Sequence, residues 1–167
     1  MCAAGGFFHA NMLQSVADCA IININMDKAE LLRKIFAHDK FVQLAGIELE
    51  EVNDDGATVT AAIGPQHLNA NGSVQGGMLF SVADFAFAVL SNYLHPVTVT
   101  QVANFTYVKA AYTDRLRCEA REIVRSGHNT VAEVKVFDGA GNLVCAGTFN
   151  GFVKDTPIEE LIARFGG

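Results

Sequence analysis

Between His67 and Asn92 the chain reads HLNANGSVQGGMLFSVADFAFAVLSN. From residue 76 onward this segment is almost wholly apolar, opens on the pair Gly76-Gly77 and carries a single charge, Asp84. A helix that is apolar nearly all round needs cover on every side. One sheet covers only one side, so the sheet must curl around the helix or a second subunit must cover the rest; the expectation is both. The run 77–90 is too short for a bilayer, contains Ser81 and Asp84 and lacks flanking basic residues, so a buried core helix is expected. Burying a carboxylate is costly unless something compensates it. The start of a helix presents unpaired N–H groups and partial positive charge, and glycines leave them unobstructed. An anion site, for an oxyanion or a phosphate, and a lone buried carboxylate in one short segment suggest acyl-transfer chemistry. Two glycines also permit a tight turn into a helix, and a buried carboxylate also caps stray N–H groups, so the residues alone leave both readings open.

The remaining composition narrows the partners. The 167 residues suffice for one domain with a proper core. Net charge is −6 and no stripe of Lys and Arg occurs, which argues against nucleic acid. The scattered basic residues suit a small anionic ligand. Cys2, Cys19, Cys118 and Cys145 form no CxxC pair, and the histidines form no HExxH cluster, so no metal and no cofactor are expected. Unpaired cysteines without a signal peptide favour the cytoplasm.

Residues 1–26 are rich in Ala, Gly and Asn and carry only Asp18 as a charge, so they read as a loosely attached extension to a single domain spanning 27–167. Asp27 and Glu30 have capping-box spacing ahead of the helical pattern Leu31, Leu32, Ile35, Phe36. Past Gly46 the period changes to two. Residues 47–63 read as a hairpin turning at Asp54-Asp55-Gly56, and 65–75 as a loop into a long helix over about 76–92. Strands follow over 97–108, 116–125, 130–137 and 143–154. Thr156-Pro157-Ile158-Glu159 reads as the start of a short C-terminal helix. The order is helix, two strands, long helix, four strands, short helix: an α+β chain.

This order and the central motif resemble the hotdog fold, and within it the PaaI-like acyl-CoA thioesterases. The family pattern is Asn, five residues, His-Gly-Gly, then an Asp nine positions after the His. Here Asn69, Gln75-Gly76-Gly77 and Asp84 stand at those spacings, flanked by Leu68 and by Phe85-Ala86-Phe87-Ala88. The resemblance covers about residues 40–154. It implies a curved antiparallel sheet of about six strands wrapped around one long central helix. It also implies hydrolysis of an acyl- or aryl-acyl-CoA at a composite site in a homodimer, as a dimer of dimers, without a membrane partner.

Carried over by position, Asp84 becomes general base or nucleophile, Gly76 and Gly77 the oxyanion donors, and Asn69 the residue that orients water or carbonyl. Gln75 stands where the family has His and cannot carry a proton charge. Thr100 is the candidate water-holding hydroxyl. Lys109 and Arg125 are candidates for the CoA phosphates, and Phe80, with Phe85 and Phe87, for the acyl pocket. Two other readings remain: a non-catalytic acyl-CoA-binding module, and a hydratase or dehydratase of acyl thioesters, against which Gln75 argues.

Geometry sharpens the dimer expectation. Asp84 follows Gly76 by eight residues, about 12 Å along a helix axis. A donor and a base acting on one carbonyl must both come within about 3 Å of the reacting atoms. One straight helix cannot achieve that, whereas two antiparallel copies can.

Overall fold

The period-two segments fold as antiparallel strands, and the long apolar segment lies across them. A computed structural model describes residues 27–165. The expectation for residues 1–26 falls outside the described residues. Two short helices, α1 (Lys28–Phe36) and α2 (Lys40–Leu44), precede β1 (Ile47–Asn53) and β2 (Gly56–Ala62). The central helix α3 (Gly76–Leu94) follows, then β3 (Thr98–Tyr107), β4 (Arg115–Ser126), β5 (Asn129–Asp138), β6 (Leu143–Val153) and α4 (Glu160–Phe165). The six strands form one antiparallel sheet in the order β1-β2-β4-β5-β6-β3. The sheet is not closed. Among the described residues its edges are β1 and β3, and β3 pairs only with β6.

The core lies between the central helix and the concave face of the sheet. Val82, Ala83, Ala86, Phe87, Val89 and Leu90 of the helix are fully buried against residues such as Val59, Leu116, Val134 and Phe149. Each large side chain so buried contributes about 1.5–3 kcal/mol. β6 approaches closely enough to require glycines. A Cβ at Gly151 would stand 2.9 Å from the Phe87 ring, and one at Gly147 would stand 2.3 Å from the Asn104 carbonyl oxygen. Helix α1 covers the far side of α3 through Leu31, Leu32 and Ile35, and Phe36 meets Phe85 edge-on at 5.2 Å.

Several local expectations change. Asp27 is the N-cap of α1, but its side chain makes no capping bond, so the capping box does not form. Helix α2 and a 3-10 turn at Pro65–His67 were not legible: each is shorter than two turns, too brief for a periodic pattern to register. The C-terminal helix begins at Glu160 rather than at Pro157, with a turn in which Glu160 N–H reaches the Pro157 carbonyl at 3.2 Å. The central helix runs to Leu94 and has 19 residues, long and apolar enough to cross a bilayer by length and composition alone. Its packing, not its length, marks it as a core helix: one side lies along the sheet and another under α1.

Candidate active site

The loop before the central helix is fixed by its own polar groups. Gln75 N–H donates to the His67 carbonyl at 2.8 Å, Val74 N–H donates to Ala111 O at 2.9 Å, and Leu68 bridges Val74. Gly72 takes φ +76°, a conformation other side chains rarely adopt, and closes the turn. Asn69 Oδ1 accepts from Asn71 N–H at 2.9 Å and from Ser73 N–H at 3.3 Å, while its Nδ2 donates to Ser73 Oγ at 2.8 Å. In a single chain, then, the Asn69 amide pins its own loop.

Gln75 is the N-cap of the central helix. Its Oε1 accepts from Gly77 N–H and, at 3.2 Å, from Met78 N–H. The expectation of two free glycine amides is therefore corrected: Gln75 takes the Gly77 N–H, as a capping oxygen does. The Gly76 N–H has no partner among the described residues and is the donor left for an oxyanion. Tyr107 of β3, a residue the sequence reading missed, lies over this glycine and donates its hydroxyl to the Gly76 carbonyl at 3.2 Å. Its signal was present in the period-two row Ala103, Phe105, Tyr107, which faces the helix.

Asp84 is not sealed in the core, contrary to expectation. It is half-buried, on a strip of the helix that includes Gly77, Ser81 and Ala88 and that the sheet leaves open. Thr100 Oγ1 donates to Asp84 Oδ1 at 2.8 Å. Oδ2 has no partner among the described residues. Cys118 and Cys145 offer no rival nucleophile: both are buried, and burial pushes both thiols up, Cys145 to about 11.

The other candidates separate. Phe80 is 36% exposed and packs edge-on to Phe105 at 5.7 Å, between helix and β3. Phe85 and Phe87 are core residues. Lys109, just past the end of β3 that covers Gly76, lies 3.5 Å from Asp138. Arg125 occupies the row of Thr100, three strands away, and donates from Nε to Gly127 O at 2.9 Å. The sheet thus holds the two cations at opposite ends, and one subunit cannot bring both to one phosphate.

Comparison with known proteins finds the same likeness. Residues 71–145, which contain the Gly-Gly pair, Asp84 and Thr100, match the thioesterase superfamily. The fold is that of the hotdog thioesterases, and the matched segment is similar to their superfamily. A protein of Archaeoglobus fulgidus provisionally assigned as an esterase is 29% identical over 122 residues, 70% of this chain and 79% of its own length. The acyl-coenzyme A thioesterase PaaI of Escherichia coli is 25% identical over 96 residues, 58% of this chain and 69% of its own. Its structure superposes with a TM-score of 0.74 at 21% identity, over 78% of this chain and 96% of that one. A hypothetical thioesterase of Streptococcus pneumoniae, solved with coenzyme A, superposes at 0.68 with 26% identity, over 74% of this chain and 98% of that one. That protein has also been solved with one Thr and one Asp replaced by Ala, at positions 16 apart. Thr100 and Asp84 of this thioesterase are also 16 apart.

Proposed function

We propose that this thioesterase hydrolyses an acyl-CoA to the free acid and CoA at two composite sites in a homodimer, with residues 27–167 as the working unit. The observation that carries this reading is the Asp84–Thr100 pair at 2.8 Å on the open strip of the central helix, eight residues beyond the unpaired Gly76 amide. The names of the Escherichia coli relative and of the coenzyme A-bound Streptococcus structure support acyl-CoA as the substrate class.

The dimer follows from what one chain leaves open. Among the described residues, strand β3 has a row of unpaired backbone groups along its outer edge. The same flank carries the open strip of the helix, since Thr100 meets Asp84 and Tyr107 meets Gly76. A second copy placed antiparallel on that flank covers both. Phe80 stands midway between Gly76 and Asp84. A two-fold axis near Phe80 brings Gly76 of each chain to Asp84 of its mate, closing the gap of about 12 Å that one helix cannot close.

In this arrangement Thr100 holds Oδ1 of Asp84. Oδ2 either attacks the thioester carbon or takes the proton of an attacking water. The partner subunit's Gly76 N–H donates to the carbonyl oxygen as it gains charge. The sulfur leaves as the CoA thiolate and takes a proton, and water supplies the second oxygen of the acid. Gln75 acts without titrating. It fixes the helix start by accepting from Gly77, so the oxyanion donor keeps its place whatever the protonation state nearby.

Thiol release from a panel of acyl-CoAs tests the chemistry. Wild type releases thiol, and Asp84→Ala loses about 10²–10⁴-fold in kcat. Gly76→Pro and Asp84→Ala are each strongly impaired alone, whereas a mixture regains part of the activity in heterodimers that hold one intact site. Failure of the mixture to recover would remove the shared-site geometry.

A further inference from the structure

Beside the start of the central helix is a cavity of about 500 Å³, bounded by α2, the 3-10 turn and the first two turns of α3. Its wall is mostly apolar: Phe41, Leu44, Leu68 and Met78. Gln75 and Gly77, the chain neighbours of Gly76, belong to the same wall, so the cavity adjoins the place assigned to the reacting carbonyl. Among the described residues no Lys, Arg, Asp or Glu lines it. The phosphates of CoA therefore have no partner there, whereas an acyl group does.

Two further observations point to a ligand. Helix α2 is anchored by buried Val42 yet holds Phe41 61% and Leu44 81% exposed, large apolar side chains turned out beside the helix start. His67 also lines the cavity and is only 9% exposed. Its Nδ1 accepts from Gly64 N–H at 3.1 Å, so the ring proton resides on Nε2. That Nε2 is buried and has no partner among the described residues. A buried donor left unpaired is costly, and a bound acceptor removes the cost.

We propose that this cavity receives the acyl group of the thioester, an apolar chain or ring of medium size bearing one hydrogen-bond acceptor, with Phe41 and Leu44 setting its length and His67 reading the acceptor. The proposal rests on the hydrolase reading above and names the substrate class of that site. Pockets of this size and composition suit small acyl bodies.

Rates of thiol release from acetyl-CoA through palmitoyl-CoA test it. Leu44→Ala lowers kcat/KM for octanoyl-CoA about tenfold and leaves acetyl-CoA within about twofold, since contacts along a chain discriminate by methylene. Wild type prefers, by about tenfold, an acyl-CoA with one added chain or ring oxygen over its matched hydrocarbon, and His67→Phe abolishes that preference, its loss falling on the oxygenated substrate more than on the hydrocarbon. An equal effect of Leu44→Ala at every length overturns the proposal, as does a preference that survives in His67→Phe. Calorimetry with two unhydrolysable thioethers keeps the outcome separate from catalysis. Should wild type release no thiol at all, the hydrolase reading falls. The cavity assignment still stands if Leu44→Glu weakens S-octyl-CoA and spares S-methyl-CoA, and falls if both change alike.

Discussion

The two ends of the central helix are built from similar polar groups and end in opposite conditions. At the C-terminal end, among the described residues, no buried side-chain polar atom lacks a partner. Asn92 is buried, with Nδ2 donating to Ala88 O at 2.9 Å and Thr98 O at 3.2 Å, and Oδ1 accepting from Thr98 N–H at 2.9 Å. His95 meets Glu122 at 2.5 Å, and Thr130 also donates to Glu122. This end ties the helix to the sheet. At the N-terminal end the Gly76 N–H, the free oxygen of Asp84 and His67 Nε2 are left over, beside an apolar cavity. Satisfied polar groups hold a fold, and polar groups kept unsatisfied mark where another molecule completes the structure. The contrast predicts that changes at one end cost activity and at the other cost stability.

The largest effect is the loss of turnover in Asp84→Ala, which should leave the denaturant midpoint unchanged because the open strip contributes little to the core; a large drop in midpoint would make Asp84 a structural carboxylate. Gly76→Pro comes next. Proline is tolerated at the first helical position, and its only deletion there is the unpaired N–H. A Cβ at this position meets nothing nearer than the Tyr107 ring at 3.4 Å. We expect a loss of about 10²–10³-fold in kcat with KM nearly unchanged. A rise in KM alone would make the amide a ground-state binder.

At the other end, Asn92→Ala leaves the Thr98 backbone groups unpaired and should cost about 3 kcal/mol in urea unfolding, with kcat per folded molecule kept. Loss of kcat without loss of stability would erase the distinction between the ends. The smallest effect is Glu122→Gln. Burial pushes the Glu122 carboxyl up, but hydrogen bonds from Thr130 and His95 and the charges of His95 and Arg125 outweigh it and hold the group below its ordinary 4.5. A lowered folded value stabilises the ionised form. Its contribution is present above pH 4.5 and is lost as pH falls below it. Unfolding of Glu122→Gln should therefore show a flatter loss of stability below that pH than wild type, and an identical slope would refute the assignment.

The elements were legible because their periods are unambiguous: period two over 47–63 and after 97, and one apolar run with a Gly-Gly start. The motif residues Asn69, Gln75, Gly76 and Asp84 were legible as a spacing. Their individual states were not. Sequence shows that Asp84 interrupts an apolar helix, but whether it is sealed depends on which strip the curved sheet fails to cover. Sequence shows two glycine amides, but the rotamer of Gln75 decides which one stays free. Tyr107 and Thr100 reach Gly76 and Asp84 only because β3 runs back along the helix, and the cavity exists only where α2, a helix too short to show a period, is laid beside the helix start. The chain alone thus determined the elements and the identity of the reactive groups, because periodicity and chemistry are local. Tertiary structure decided which groups are spent inside one molecule and which remain for a substrate or a second copy, because satisfaction of a polar group depends on what the fold brings next to it.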